Sequence, residues 1–527
     1  MCGIAGIIGN NPSKKTLVEI LSKIEHRGDK QNFSEVFTNN KLAVGTNRLA
    51  IVDEEKGKQP KFSECGRYVG VLDGKIYNHV ELKNELATTF NFKSDCDTEV
   101  CLYAYIKWGK EAVKKLRGMW AFFIYDLKSN NWVVARDPVG IKPFYYSLNH
   151  DYLYFCSEVK GIANLDHLEY IKELKPGHFL TKSGEEKFYE LNFFKGIESK
   201  FVNNDFDALA KVRDELYSCV ARMIPNDTKS IACLLSGGID SSIITKVAND
   251  LHPGKVIAYT FTYDETQSPD LKAAKKLTDT LGIPLRIVRA DYEKLKDFYL
   301  NKAVSVIETF ESPLVRNATS YNYLCKRVSK DGFKWCLSGE GADELFGGYD
   351  YFKKLPHDQQ DEAIETSLKL IHKSYLKMCD RSSMAARLEI RVPYMEQTLI
   401  DLVSQLPSNY RIRGTTDKWL LRNMFNDNQL KNIYLKPKLG MNVGAGAGSN
   451  DKMEGVFYRA IIHEYENRPE RYKSDMELAS SLSQEYSLDL KDLEEVFLFA
   501  RFAENNYTKL TNSSKRLQLN TSYVNKR

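Results

Sequence analysis

The ten cysteines of this 527-residue chain form no C-x-x-C pair and follow no regular spacing. Neither a zinc cluster nor a disulfide framework is indicated, and free thiols point to a reducing compartment. No run of about eighteen apolar residues occurs, and no basic N-terminal segment leads into an apolar one, so neither a helical membrane span nor a signal peptide is expected. Charge of one sign is also lacking: 75 basic against 70 acidic side chains leave +5, too little to draw nucleic acid or a membrane surface. Internal repeats and low-complexity blocks are missing. With 43% hydrophobic and 28% charged residues, the composition is that of a globular protein with ample core, expected in the cytoplasm, and the length allows two large domains or more.

What is present centres on Leu234-Leu235-Ser236-Gly237-Gly238-Ile239-Asp240-Ser241-Ser242. The apolar run 231–233 before it predicts a buried parallel strand, and 243–248 after it predicts a helix. A small-residue turn between strand and helix is an anion cradle: glycines let backbone approach phosphate, and the helix N-terminus supplies N–H groups and positive character. No Gly-Lys-[Ser/Thr] follows, so this is not the loop that cleaves at the γ-phosphate. The pattern Ser-Gly-Gly-x-Asp-Ser resembles the pyrophosphate loop of ATP pyrophosphatases, which implies ATP held by Leu234, Ser236, Gly237, Gly238, Asp240 and Ser241, with Asp240 suited to Mg2+ bound jointly with the phosphates.

The N-terminus reads Met1-Cys2-Gly3-Ile4-Ala5-Gly6. Removal of Met1 would leave a thiol and an α-amine on Cys2, and an amine of pKa about 7.7–8.0 can serve as the nucleophile's own base. Then come His26-Arg27-Gly28, Asn47-Arg48-Leu49-Ala50-Ile51-Val52-Asp53, Gly74 with Ile76-Tyr77-Asn78, Asp97-Thr98-Glu99, Gly118-Met119-Trp120 and Ala135-Arg136-Asp137-Pro138. Their order and spacing resemble class II glutamine amidotransferase domains over roughly the first 190 residues. The resemblance implies an Ntn-type αββα sandwich in which Cys2 attacks the side-chain amide of glutamine. Arg48 would hold the substrate carboxylate beside Ile51 and Val52, and Asp97 its α-ammonium. The strand that reads Asn-Gly-Glu in that family reads Asp73-Gly74-Lys75 here. The family asparagine donates to the oxyanion, and losing one such donor costs about 2.7–4 kcal/mol. Lys75 replaces an acid of the glutamine pocket, so an impaired glutaminase half is expected.

Around 191–205 a strand-like stretch over 181–189 gives way to mixed polar sequence, and Leu209, Val212, Leu216 and Val220 then share one helical face. The expected division is a domain over 1–190, a linker over 191–205, a second domain over 206–510 and a polar, basic tail over 511–527, with no acidic residue after Glu504. In the second domain Val256-Ile257-Ala258-Tyr259-Thr260-Phe261-Thr262 and Lys334-Trp335-Cys336-Leu337 predict further strands. Strands alternating with helices predict a doubly wound parallel α/β sheet whose ligand lies beyond the strands' carboxyl ends, where Leu234 and Tyr263 would bound an adenine.

The third strand runs into Ser338-Gly339-Glu340-Gly341-Ala342-Asp343-Glu344-Leu345-Phe346-Gly347-Gly348. Three acids on one turn repel unless a cation offsets them, which suggests Mg2+ between Asp343 and Asp240. This stretch resembles the glutamine-hydrolysing asparagine synthetases, as do Glu389-Ile390-Arg391-Val392-Pro393, Asp417-Lys418-Trp419-Leu420-Leu421-Arg422 and Lys436-Pro437-Lys438. The likeness implies ATP-dependent activation of aspartate as β-aspartyl-AMP at Glu340, with Ser338 and Gly339 on the nucleotide and Lys438 on the departing pyrophosphate. It also implies nitrogen from glutamine or free ammonia, and a homodimer. Glu396 for the family's aspartate, and Leu439-Gly440-Met441-Asn442 after Lys438, leave another carboxylate acceptor, as in β-lactam synthetase relatives, as the alternative.

Overall fold

The computed structural model describes residues 2–29, 33–38, 41–193, 202–425, 431–447 and 455–510. Met1, most of the expected linker and the whole of the expected tail 511–527 lie outside them.

The N-terminal part is a sandwich of two six-stranded antiparallel sheets. The first runs Lys172–Glu173, Tyr145–Leu148, Leu153–Cys156, Cys2–Ile8, Leu42–Arg48 and Phe33–Thr38. The second runs Gly184–Lys187, His178–Thr181, Asn131–Arg136, Gly118–Asp126, Tyr68–Ile76 and Lys61–Phe62. Strand alternation builds the layers. Cys2 and Ile4 point between the sheets with Val69, Val71, Ala121 and Phe123, whereas Ala5 and Ile7 face Leu17, Ile20 and Leu21 of helix Lys14–Lys23. On the far side Leu72, Phe122 and Ile124 pack under Val100 and Leu102 of helix Asp97–Trp108. The order is therefore helix, sheet, sheet, helix, as the sequence led us to expect. One detail differs: the run 181–189 is not a single strand, because Gly184 at φ +106° turns it back into a hairpin on His178–Thr181.

The C-terminal part is built on a five-stranded parallel sheet ordered Leu285–Arg289, Val256–Thr262, Ile231–Leu234, Trp335–Leu337, Glu389–Arg391. Its central strands are buried on both faces, which explains their near-continuous apolar sequence. The chain order reverses between Ile231–Leu234 and Trp335–Leu337, so the crevice beyond these two carboxyl ends is the topological switch point where such sheets take ligands. Helix Asp205–Met223, capped by Asn204 accepting from the Asp207 N–H, buries Val212, Leu216 and Val220 against this core.

Candidate active sites

At the switch point, strand Ile231–Leu234 ends, the chain turns through Gly237 at φ +73°, and helix Ile239–Leu251 begins. A side chain at Gly237 would meet the backbone of Asp270 and Ala274, so both the backbone angle and the space demand glycine. The loop is braced internally: the Ser236 N–H donates to Ser241 Oγ at 3.1 Å, and the Gly238 N–H to Ser236 Oγ at 3.3 Å. The second loop, after Trp335–Leu337, touches the first at Gly339, where a Cβ would strike the backbone of Asp240 and Ser241.

Leu234, Ser236, Asp240, Ser241, Ser338, Gly339, Glu340, Asp343 and Lys438 all line one cavity here. Tyr263 lies off that wall: its hydroxyl is engaged with Ser320 at 2.6 Å and its ring packs edge-on to Phe261, which itself reaches the cavity. Phe261, Tyr321, Leu324 and Met441 supply apolar walls that our sequence reasoning did not single out. Asp270 braces the segment that covers the cavity. It pairs with Lys436 at 2.6 Å, and Ser268 Oγ donates to the Gly444 carbonyl at 2.9 Å.

Charge is concentrated at the loop mouth. The ammonium of Lys418 lies 2.7 Å from both carboxylate oxygens of Asp240 and 2.5 Å from Asp343; that of Lys438 lies 2.5 Å from Asp343 and 3.8 Å from Asp240. Lys418 is 1% exposed and sits at φ +49°, a conformation costly for a residue with a Cβ. A Cβ on Gly348 would run into its side chain and into Asp343. The sequence showed Lys418 in a motif but not this role. Burial raises Asp343, yet the two lysines outweigh it and hold the carboxyl well below the usual range. Burial, aided by Asp343 and Asp240 and opposed by Lys438, pushes Glu340 up to about 7.

The second constellation surrounds Cys2, which is buried in the first sheet and receives a hydrogen bond from Gln59 Nε2 on Sγ at 3.2 Å. Burial pushes the thiol up to about 11. The Cys2 N–H donates to Asp73 Oδ1 at 3.3 Å. The other Asp73 oxygen accepts from Arg27 Nη2 and Ser157 Oγ, both at 2.9 Å. Gly74, at φ +138°, runs so close to Met119 and Trp120 that no side chain fits. Arg48 donates to the carbonyls of Val52, Asp53 and Glu54 at 2.6, 2.9 and 3.0 Å. Lys75 Nζ lies 3.3 Å from Asp97 Oδ2, which also accepts from the Ile76 N–H at 3.0 Å. Burial alone would raise Asp97; Lys75 and His79 beside it hold it at about 2. Ile51, Val52 and Lys75 open onto a cavity of about 910 Å³ that Trp335 and Arg391 also line.

A buried ionic seam joins the two constellations. Arg27, fully buried, donates to Asp73, to Glu158 at 2.8 Å and, across to helix Tyr375–Met384, to Asp380 at 2.7 Å. Asp380 also accepts from Lys142 Nζ and Arg381 Nη1, both at 2.9 Å, and Arg381 reaches Glu308 at 3.0 Å. The same helix carries Cys379, whose thiol is raised first by burial and next by Glu340 nearby.

A family model described as a glutamine amidotransferase domain matches residues 1–192, and one described as asparagine synthase matches 211–365 and 355–487. The root glutamine-hydrolysing asparagine synthetase of Pisum sativum is 30% identical, over 82% of this chain and 76% of its own. The nodule enzyme of the same plant is 29% identical over 85% and 79%, and glutamine-hydrolysing asparagine synthetase 1 of Arabidopsis thaliana 28% over 90% and 85%. The first match spans the αββα sandwich that opens on Cys2 and the second the parallel sheet with the loop at its switch point, and the chain belongs to the asparagine synthase family with an N-terminal glutamine amidotransferase domain.

Proposed function

We propose that the chain makes asparagine from aspartate, ATP and a nitrogen donor, releasing AMP and pyrophosphate. The observation that carries this is the convergence of Ser236, Asp240, Ser241, Ser338, Glu340, Asp343 and Lys438 on one crevice at the switch point. The loop N–H groups and serine hydroxyls take the phosphates, and Leu234, Phe261 and Leu324 bound the base. The side-chain carboxylate of aspartate attacks the α-phosphorus and pyrophosphate leaves, its charge met by Lys438 and Lys418. Ammonia then attacks the acyl carbon of β-aspartyl-AMP, AMP leaves, and Glu340, whose carboxyl titrates at about 7, takes the proton. Asp240 and Asp343 offer the hard oxygen donors that Mg2+ takes, and the two lysines already drawn onto them fit a place built for cations. Mg2+ bound there with the phosphates would offset their charge.

We assign Cys2, Arg48, Ile51, Val52, Asp73, Gly74, Lys75 and Asp97 to the amide pocket, and residues 1–190 and 206–510 to two domains. A homodimer in the cytoplasm is the setting that family likeness suggests, and no helix among the described residues is long and apolar enough to cross a membrane. The test is aspartate-dependent pyrophosphate release with Mg-ATP, with AMP and asparagine as co-products. Release that ignores aspartate but follows another carboxylic acid would replace the acceptor and keep the adenylation.

A further inference from the structure

Either glutamine or free ammonia could supply the nitrogen, and the amide pocket speaks to that choice. We propose that Lys75 holds the seat of a substrate α-ammonium against Asp97, so that glutamine is refused and free ammonia is the nitrogen donor of the synthetase reaction proposed above. Three features meet here. The Lys75 ammonium lies 3.3 Å from Asp97, and the two residues are only 7% and 6% exposed. His79 stands 3.5 Å from Lys75 on the same side. Two ammonium groups about 4 Å apart under an effective dielectric near 20 disfavour each other by roughly 10³-fold in affinity. A glutamine arriving at Asp97 must therefore expel Lys75 into a buried wall or tolerate it.

The carboxylate end is also taken: three N–H groups of Arg48 are engaged by backbone carbonyls, in place of the bidentate fork a substrate carboxylate needs. Where the family's asparagine would donate to the oxyanion, Asp73 accepts instead, from Arg27, Ser157 and the Cys2 N–H. These contacts fasten the carboxylate beside Cys2 as an acceptor, so the donor that a developing oxyanion needs is missing there. Amide hydrolysis is thus opposed in binding by Lys75 and in the transition state by Asp73, independently of each other.

The experiment uses the full chain with aspartate and Mg-ATP, supplied with either ¹⁵N-amide glutamine or ¹⁵N-ammonium chloride. Labelled asparagine and released glutamate are read by mass spectrometry in wild type, Cys2→Ala, Lys75→Glu and Asp73→Asn/Lys75→Glu. The wild type is expected to take label from ammonium and none from glutamine above the Cys2→Ala background. The double variant is expected to gain glutamate release by at least about 100-fold, since one oxyanion donor alone is worth 10²–10³, and to lose it again with Cys2→Ala. Wild-type labelling from glutamine at a rate near that from ammonium, abolished by Cys2→Ala, would overturn the proposal. A folded double variant with no gain would overturn the role of Lys75. Absence of asparagine from either donor strikes the synthetase reading instead, while glutamate release, which needs no acceptor, still judges the pocket. Should the double variant not fold, the wild type is treated with the diazo-ketone analogue of glutamine: alkylation of Cys2 overturns the proposal, and its absence supports it.

Discussion

Replacing Asp380 with asparagine probes the ionic seam with little change of shape. The carboxylate, 5% exposed, takes four N–H bonds: 2.7 and 3.2 Å from Arg27, 2.9 Å from Lys142 and 2.9 Å from Arg381. After Asp380→Asn, Arg27 keeps Asp73 and Glu158, and Arg381 keeps Glu308. Lys142, 1% exposed, keeps no ion pair among the described residues. An uncompensated buried charge of this kind costs about 3–5 kcal/mol; because the amide oxygen still accepts one bond, the expected loss is near the lower end, about 3 kcal/mol. Urea unfolding followed by tryptophan fluorescence and circular dichroism measures it, and adding Lys142→Met, which removes the orphaned ammonium, should recover most of the loss. The sign with pH follows from the carboxyl. Burial raises it, but Arg27 and Lys142 prevail and hold it well below its ordinary range. Its stabilisation is therefore complete above the unfolded-state carboxylate pKa near 4 and is lost only as acid approaches the folded value; Asp380→Asn removes that acid-sensitive part. A single variant within 1 kcal/mol of wild type at neutral pH would refute the reasoning.

Three further outcomes are expected. Gly348→Ala, whose Cβ has no room beside Lys418 and Asp343, should cut aspartate-dependent pyrophosphate release by about 100-fold or more while circular dichroism stays unchanged, since a 1 Å displacement of a positioned group is enough for such a loss. Lys418→Met should weaken ATP binding through the lost positive charge, yet lower the Mg2+ concentration needed for half-maximal adenylation, because Asp240 and Asp343 then lose the ammonium that competes with Mg2+ for their oxygens; titrations of initial rate against Mg2+ at fixed ATP read this directly. With free NH₃ held saturating, turnover should rise as Glu340 loses its proton through about pH 7 and level off above it, and Glu340→Gln should abolish that rise along with at least 10² of the rate.

Much of this was legible from residue order. Strand, small-residue turn and helix are neighbours in the chain, so the loop 234–242 declared its geometry locally, and strand Val256–Thr262 has the very bounds its apolar run suggested. The helix after the loop begins earlier than the apolar run did, at Ile239, because its first turn is spent on Asp240, Ser241 and Ser242. Lys418 was harder to read. Its importance comes from meeting Asp240 and Asp343, 178 and 75 positions away, and no periodicity encodes such a meeting. Tyr263 shows the opposite case: it follows the right strand directly, but the Ser320 hydroxyl and the Ala445 carbonyl hold it away from the cavity. The change from Asn-Gly-Glu to Asp-Gly-Lys was visible in the sequence and raised the expectation of an impaired glutaminase half, yet the partners Arg27 and Asp97 emerged only when the sheets were stacked.

The seam at Arg27 also governs how far the two halves can be parted. Asp380 lies in the C-terminal half and its two strongest counter-charges, Arg27 and Lys142, in the other; Glu308 likewise faces Lys160 across the boundary. A synthetase cut free would expose Asp380 without either cation, and a freed sandwich would leave Lys142 without its carboxylate and Arg27 with Asp73 and Glu158 alone. Each half is thus a permanent prosthesis for the other, and loss of glutaminase chemistry alone would give evolution no licence to discard the sandwich.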